Sequence, residues 1–111
     1  MTDFFQPTSP LPPLDEEGYL VEPADWNEGI AHWLAHQEHI DLTPEHWTAL
    51  HFMREYYAHH QVSADVRHVI RHLTEVHGAD RNAIFRLFPY GYVKQACKIA
   101  GMKRPRAWST G

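Results

Sequence analysis

Apolar residues recur at spacings of three and four along most of the chain, which is typical of helices that bury one face. The first predicted helix follows Pro23 and Asp25 and buries a short stripe, Ile30, Trp33 and Leu34. The Thr43-Pro44 pair predicts the start of a second helix, because a threonine hydroxyl can accept from an unpaired backbone N–H and proline is tolerated in the first turn. That helix runs to about Ala58 and is predicted to bury Trp47, Leu50, Met53 and Tyr57.

Three further helices are predicted between residues 63 and 101. Ser63 is the expected N-cap of the third helix, Asp65 suits its dipole, and Gly78 ends it. Its buried stripe is predicted to be Val66, Val69, Ile70, Leu73 and Val76. A short fourth helix, capped by Asp80 and broken by Pro89, buries Ala83, Ile84 and Leu87. The fifth covers residues 91–100 and ends at Gly101, and its inward side chains are predicted to be Val93, Ala96, Cys97 and Ala100.

The two ends of the chain lack this periodicity. Residues 1–14 are rich in proline and predict an extended leader, and residues 19–21 form a short strand at most. Residues 102–111 are basic and aperiodic, which predicts a flexible arm. We therefore expect a leader at 1–14, one mostly helical domain at 15–101 and an arm at 102–111. A chain of 111 residues suits a single domain, and its 13% aromatic content indicates a packed core.

Several classes of protein are excluded by what the chain lacks. No apolar run is long enough to cross a bilayer, and the acidic, proline-rich start is unlike a signal peptide, so we expect a cytoplasmic location. No serine lies in a nucleophile elbow, and the six glycines form no phosphate-binding loop. The sequence therefore predicts neither a self-contained enzyme site nor a bound cofactor.

The net charge of −4 conceals a strong asymmetry. All 14 acidic residues lie within the first 80 positions, whereas the part of the chain from Arg81 onward is free of acids. That basic part carries seven of the ten cations: Arg81, Arg86, Lys94, Lys98, Lys103, Arg104 and Arg106. A basic segment attracts an acidic protein face, a phosphate group or a nucleic acid. The alternative, to which we give equal weight, is that the acidic and basic parts of the chain neutralise each other within the fold.

Ten histidines are the unusual entry in the composition. His32, His36 and His39 share one helical face, and His68 and His72 lie one turn apart on the third helix. Imidazoles at such spacing can bind zinc or nickel. However, no HExxH motif occurs, and polar residues populate the outer face of any amphipathic helix. Solvated histidines are the favoured interpretation, and no metal site is predicted.

Cys97 is the only cysteine, so neither an intramolecular disulfide nor a multi-cysteine metal site can form. The cations Lys94 and Lys98 favour a thiolate there. The end of the helix and the apolar neighbours disfavour one, because unpaired carbonyls and burial both penalise a negative charge. A buried structural thiol is favoured on these grounds, although they do not decide between the two roles.

Residues 87–105, LFPYGYVKQACKIAGMKRP, resemble the signature of the DsrC/TusE family of sulfur-trafficking proteins. DEEGYL at 15–20, Trp26, LTPEHW at 42–47 and MREYY at 53–57 agree with that family in the same order. The resemblance implies a small orthogonal bundle of about five helices, with a short N-terminal β-hairpin and a mobile C-terminal arm. It also implies a partner of acidic surface from a sulfur-relay or sulfite-reductase system.

In this family, a cysteine near the end of the arm accepts sulfane sulfur as a persulfide and enters partner active sites. TusE relays that sulfur toward the 2-thiouridine of tRNA, and DsrC uses a second cysteine, in the KQAC segment, to form a trisulfide with dissimilatory sulfite reductase. Here Cys97 matches the KQAC position, but Trp108 stands where the arm cysteine is expected. Ser109 beside it cannot replace a thiolate. A trisulfide needs two thiols and is excluded by the cysteine count.

Two hypotheses follow from this departure. In the first, Cys97 alone carries a persulfide or forms a mixed disulfide, in a monomer or a Cys97-linked dimer. In the second, the chain is a non-carrier regulatory paralogue that binds a protein partner or, weakly, a nucleic acid. The candidate contact residues are the seven cations of the basic part, with Trp108 as an aromatic anchor.

Overall fold

The computed structural model describes residues 11–103, which are mainly helical. A 3₁₀ turn at Pro23–Asp25 precedes five helices, numbered here in chain order: α1 (Glu28–Gln37), α2 (Pro44–His60), α3 (Val66–Arg71), α4 (Ala83–Leu87) and α5 (Tyr92–Cys97). Helix α3 continues as a π-helical turn, His72–Val76, and α5 itself has π-helical hydrogen bonding. These residues contain no β-sheet, and one isolated antiparallel bridge joins Leu14 to Leu20. The predicted mainly helical class is confirmed.

The start of α2 is the one the sequence predicts. Thr43 caps the helix, and Pro44 occupies its first turn. The Thr43 N–H donates to Nδ1 of His46 at 3.0 Å, and the His46 N–H donates back to the threonine hydroxyl at 3.4 Å. The other ring nitrogen of His46 lies 2.9 Å from the carbonyl oxygen of Leu87, which joins α2 to the end of α4. Burial lowers the pKa of His46, so the neutral imidazole is the form that fits this position.

The N-cap of helix α3 lies two residues later in the chain than predicted. Asp65, not Ser63, caps the helix, and its carboxylate accepts from the backbone N–H groups of Arg67 and His68. The Ser63 hydroxyl instead donates to the carbonyl of Lys103 at 2.9 Å. A carboxylate also suits the positive end of the helix dipole better than a hydroxyl does. The predicted Ser63 cap was therefore wrong.

The apolar stripe of α3 is interrupted at its end. Val69 and Leu73 are buried as predicted, but Val76 is 66% exposed. The π-helical turn at His72–Val76 contains more residues per turn than an α-helix, so the side chains that follow it rotate out of the original stripe. The predicted burial of Val76 was wrong for this reason.

Helix α5 and the residues that follow it contribute largely buried side chains to the core. All four side chains predicted to point inward from the fifth helix are buried: Val93, Ala96, Cys97 and Ala100. The same buried cluster includes residues of α1, α2 and α4, namely Leu34, Leu50, Met53, Ile84 and Leu87. Several other predicted core residues are only partly buried at its edge: Trp33, Trp47, Tyr57, Val66 and Ile70.

The end of α5 is held by close backbone packing. Gly101 has φ +73°, and a Cβ atom there would lie 2.5 Å from the ring of Trp26. The indole N–H of Trp26 donates to the carbonyl of Ile99 at 2.8 Å. The guanidinium of Arg54 donates to the carbonyl of Ala100 at 3.1 Å and to that of Pro23 at 2.9 Å while lying over the Trp26 ring.

None of the helices within residues 11–103 has both the length and the apolar character that a membrane crossing requires.

Candidate functional site

The only thiol of the protein lies inside the core. Cys97 is 0% exposed, and burial raises its pKa to about 12. Hydrogen bonding with the Tyr92 side chain acts in the opposite direction but does not outweigh burial. Lys94 and Lys98, which the sequence places on either side of the thiol, do not lower its pKa because their ammonium groups lie on the outer side of the helix, in the cleft described below. At neutral pH the sulfur is a neutral S–H group.

The polar groups that surround Cys97 are satisfied within the fold. The Tyr92 hydroxyl donates to the carbonyl of Ala64, and the Tyr19 hydroxyl donates to the carbonyl of Val93 at 2.8 Å. Burial is the largest cause of the raised pKa of both phenols, and it contributes most to raising the pKa of Tyr19 to about 12. No buried side-chain nitrogen or oxygen in the described part of the chain lacks a partner. The thiol is therefore surrounded by neutral, fully bonded groups.

A carboxylate from the end of α1 ties α5 to the rest of the domain. The buried amide of Gln95 donates to Glu38 at 3.1 Å, and its oxygen accepts from the Tyr90 N–H at 3.0 Å. Nζ of Lys98 lies 3.5 Å from the second oxygen of Glu38 and 5.3 Å from the ring centre of Tyr19. Lys98, a predicted contact residue, is therefore engaged within the protein.

The outer side of α5 borders an open cleft of about 460 Å³. We call it the α5 cleft; it is lined by Glu17, Tyr19, Glu38, Tyr90, Lys94 and Lys98. Tyr90 is 77% exposed, and Lys94 forms no hydrogen bond or ion pair with any residue in 11–103. The cleft therefore presents an exposed aromatic ring and an ammonium group that has no direct ion-pair partner in residues 11–103, together with the carboxylates of Glu17 and Glu38.

The other described cations lie elsewhere. Arg86 lies between Asp80, at 3.2 Å, and Glu45, at 3.9 Å. Arg81 lines a groove along α3, and Lys103 lines a third groove near Ser63. The fold thus places Lys94 and Lys98 at one cleft and the other three described cations of the basic part on other surfaces, and it pairs Arg86 and Lys98 with acids of the first 80 residues. Arg104, Arg106 and Trp108 lie outside the described residues.

The histidines predicted to share helical faces have separate environments. Nδ1 of His68 lies 3.1 Å from a carboxylate oxygen of Asp65, and His72 stacks on Phe52 with ring centres 4.3 Å apart. No three His, Cys, Asp or Glu side chains in residues 11–103 stand close enough together to hold one metal ion as they are placed.

Sequence reasoning missed the residues that immobilise α5. Glu38, Gln95 and Arg54 make the contacts described above, yet none was a candidate site residue. Two of them lie within the KQAC and MREYY segments that carry the family resemblance. The agreement of these two segments with the family was the signal available in the sequence. It marks residues that shape the environment of Cys97.

The chain resembles known proteins over nearly its whole length. A family model described as DsrC like protein matches residues 11–107. The sulfurtransferase TusE of Photorhabdus laumondii is 40% identical over 94 residues, which cover 82% of this chain and 85% of that protein. The DsrC structure from Allochromatium vinosum matches with a TM-score of 0.76 at 38% identity, covering 86% of this chain and 88% of that one.

A second solved structure extends the comparison to an archaeal protein. The oxidised γ-subunit of the dissimilatory sulfite reductase (DsrC) from Archaeoglobus fulgidus matches with a TM-score of 0.75 at 31% identity, covering 87% of this chain and 91% of that one. The fold and the KQAC segment at its centre thus define a small helical protein of the sulfur-trafficking class. The chain belongs to the DsrC/TusE family of sulfur-relay proteins.

Proposed function

We propose that this chain is a non-carrier member of its family, which docks on an acidic-faced protein of a sulfur-relay or sulfite-reductase system and regulates it. The observation that carries this proposal is the burial of the only thiol, Cys97. A persulfide carrier needs a thiolate that can reach its sulfur donor. A thiol with a pKa of about 12 is ionised in only about one molecule in 10⁵ at pH 7.

Packing opposes sulfur transfer to Cys97 as well. A persulfide adds a second sulfur atom, which has to fit among core side chains that are in contact, including the aromatic ring of Tyr92. Protein interiors are close-packed, and adding even a small group forces side chains from their preferred rotamers. Burial likewise opposes a Cys97-linked dimer of the folded chain. The cytoplasmic location stays a prediction from the sequence.

The change at the arm supports docking rather than transfer. Trp108 stands at the arm-cysteine position of the family and cannot hold sulfane sulfur. Large aromatic side chains often dominate binding energy when they enter a partner's pocket. An arm that carries tryptophan at this position can therefore occupy a pocket built for the arm of a carrier without delivering sulfur to it.

The α5 cleft supplies the second part of the proposed docking face. Lys94 projects into it without a described counterion, and Tyr90 lies exposed beside it. An unpaired ammonium next to an aromatic ring suits a carboxylate-bearing partner surface, since complementary charge directs association. Arg81 and Lys103 line other grooves, and Arg86 is paired with Asp80 and Glu45, so the proposed contact at the α5 cleft rests on Lys94 and Tyr90. Arg104 and Arg106 follow Lys103 in the chain.

The decisive experiment is incubation of the folded chain with a sulfane donor, followed by intact-mass spectrometry. We expect no adduct of about 32 Da on the native protein, because the thiol is neither ionised nor exposed. The Trp108→Cys variant is the matched positive control, since it restores a thiol at the family's arm position, and we expect it to gain the adduct. An adduct on Cys97 of the native chain would establish the carrier hypothesis instead.

Docking is tested by affinity measurements with a sulfur-relay or sulfite-reductase-type partner. We expect Lys94→Glu to weaken binding at least about tenfold, because charge reversal places like charges together at the interface. Arg71→Glu makes the same charge change on the α3 groove and serves as the control. Equal losses of affinity from both variants would contradict a specific role for the α5 cleft.

Nucleic-acid binding is tested separately by a gel-shift assay. We expect no shifted band at low salt, where phosphate contacts are strongest.

A further inference from the structure

Two imidazole rings face each other in a groove between α2 and the turn that follows α3. The groove has a volume of about 300 Å³ and is lined by Thr48, His51, Phe52, Glu55, His72 and His77. Nε2 of His72 lies 3.2 Å from Nε2 of His77, and the ring centres are 4.8 Å apart. The two outer nitrogens therefore lie within hydrogen-bond distance of each other.

The π-helical turn is what brings these rings together. In a regular α-helix, residues five apart point in directions about 140° from each other and their side chains do not meet. A π-helical turn pairs residues five apart through its backbone. Because His72–Val76 adopts this geometry, His77 stands over His72 at its end. The i, i+4 pairs considered in the sequence do not include this one.

The ring of His72 is held in place by an aromatic contact. It stacks on Phe52 with 4.3 Å between ring centres and 19° between the planes. A neutral imidazole has an unprotonated ring nitrogen, which is the form that binds a metal ion.

We propose that His72 and His77 are two ligands of a site for a borderline divalent transition metal ion, with Zn²⁺ as the representative. Two nitrogens bound tetrahedrally at about 2.0–2.1 Å from Zn²⁺ lie about 3.3–3.4 Å apart. The observed Nε2–Nε2 separation of 3.2 Å is close to that value. The ring that donates its Nε2 proton in the free protein changes to the Nδ1–H tautomer by exchange with solvent, and both Nε2 lone pairs then face the ion.

The third ligand is assigned to Glu55. Its carboxylate lines the same groove, is exposed, and makes no hydrogen bond or ion pair with a residue in 11–103. No third ligand is within reach in the present rotamers, so Glu55 has to turn toward the pair. His51 is less available, because its Nε2 lies 3.2 Å from Glu28. Water completes the coordination.

The site is tested by titrating the full chain with Zn²⁺ in a non-chelating buffer while recording ¹H–¹⁵N spectra of the histidine rings. We expect the ring signals of His72 and His77 to shift together and to saturate at one equivalent of metal. We expect His77→Ala to weaken binding at least about tenfold, since loss of even an outer-sphere partner costs about that much. Glu55→Gln should cause a smaller loss, and His59→Ala should leave affinity unchanged.

Several results would overturn the proposal. These are the absence of saturable shifts, saturation at His32, His36 and His39 instead, or a His77→Ala variant that binds as tightly as the native chain. X-ray absorption of the zinc-loaded native protein provides a readout that needs no variant. We expect two imidazoles in the first coordination shell, and a shell with one or none would reject the site. These readouts are independent of sulfur transfer and of partner docking.

Discussion

The two faces of helix α5 differ sharply although their residues alternate along one short segment. The inner face carries Tyr92 and Cys97, which are almost fully buried and surrounded by bonded groups. The outer face carries Lys94, and the exposed Tyr90 lies two residues before the helix. The inner face therefore resists ionisation, whereas Lys94 on the outer face has no ion-pair partner in residues 11–103. Gln95, Ala96 and Cys97 of the KQAC segment are buried in the core.

The strongest way to disturb this division is to lift the end of α5 off the core. We expect Gly101→Ala to destabilise the protein by about 3 kcal/mol, since it combines a positive φ with a Cβ that collides with Trp26. Gly78→Ala is the matched control, because Gly78 has φ +71° but no atom within 4 Å of the added Cβ. It should cost about 1 kcal/mol. Chemical denaturation measures both, and equal losses would show that the end of α5 is not tightly packed.

A pair of tyrosines compares the two faces directly. We expect Tyr92→Phe to reduce the free energy of unfolding by about 2 kcal/mol, because it leaves the buried carbonyl of Ala64 without its donor. Tyr90→Phe removes the same hydroxyl from the exposed face and should change stability by less than about 0.5 kcal/mol. Denaturant midpoints of the two variants decide the matter. A loss at Tyr90 as large as that at Tyr92 would contradict the contrast between the faces.

The buried thiol should make stability depend on pH in the alkaline range. Its pKa is about 12 in the folded chain against an ordinary value of 9.0, so the unfolded state loses this proton first as the pH rises. The free energy of unfolding should therefore fall by about 1 kcal/mol from Cys97 between pH 9 and pH 10. Denaturation at both pH values, compared with Cys97→Ala, isolates this contribution. If the two proteins respond alike, the thiol is not buried as described.

The smallest expected change in stability concerns Glu38, which contacts both Gln95 of α5 and Lys98, the residue that follows this helix. Glu38→Gln keeps a group that can accept from Gln95 but removes the attraction to Lys98, which lies 3.5 Å away. We expect a loss of about 0.5 kcal/mol, because partly exposed ion pairs contribute little. Denaturation at low and high salt checks this, and the difference between variant and native chain should shrink as salt screens the pair. A loss that is independent of salt would assign the effect to the hydrogen bond instead.

Local features were predictable where neighbouring residues decide them. The Thr43-Pro44 start of α2 and the burial of Cys97 beside Val93, Ala96 and Ala100 follow from capping and periodicity, and both are confirmed. Errors arose where two local signals competed. Ser63 and Asp65 can both cap a helix, and the Ser63 hydroxyl instead bonds Lys103, which is 40 residues away in sequence.

The candidate site was less predictable than the fold because its groups meet across the chain. Glu38 reaches Gln95 from 57 residues away, and only the packing of α1 against α5 brings them within 3.1 Å. The His72–His77 pair depends on one π-helical turn, which no spacing rule for α-helices anticipates. Both contacts arise from the arrangement of the elements rather than from the elements themselves.

The amino-acid order alone determined that the chain is mainly helical, with one thiol, a basic final third and tryptophan in place of the arm cysteine. These properties are local, since they depend on composition, on spacing along a helix and on which residue occupies one position. Tertiary structure decided that the thiol is a neutral core group, that Lys98 is engaged, and that Lys94 has no ion-pair partner within residues 11–103. Burial and ion pairing depend on distant segments closing around a group, so they exist only once the chain has folded.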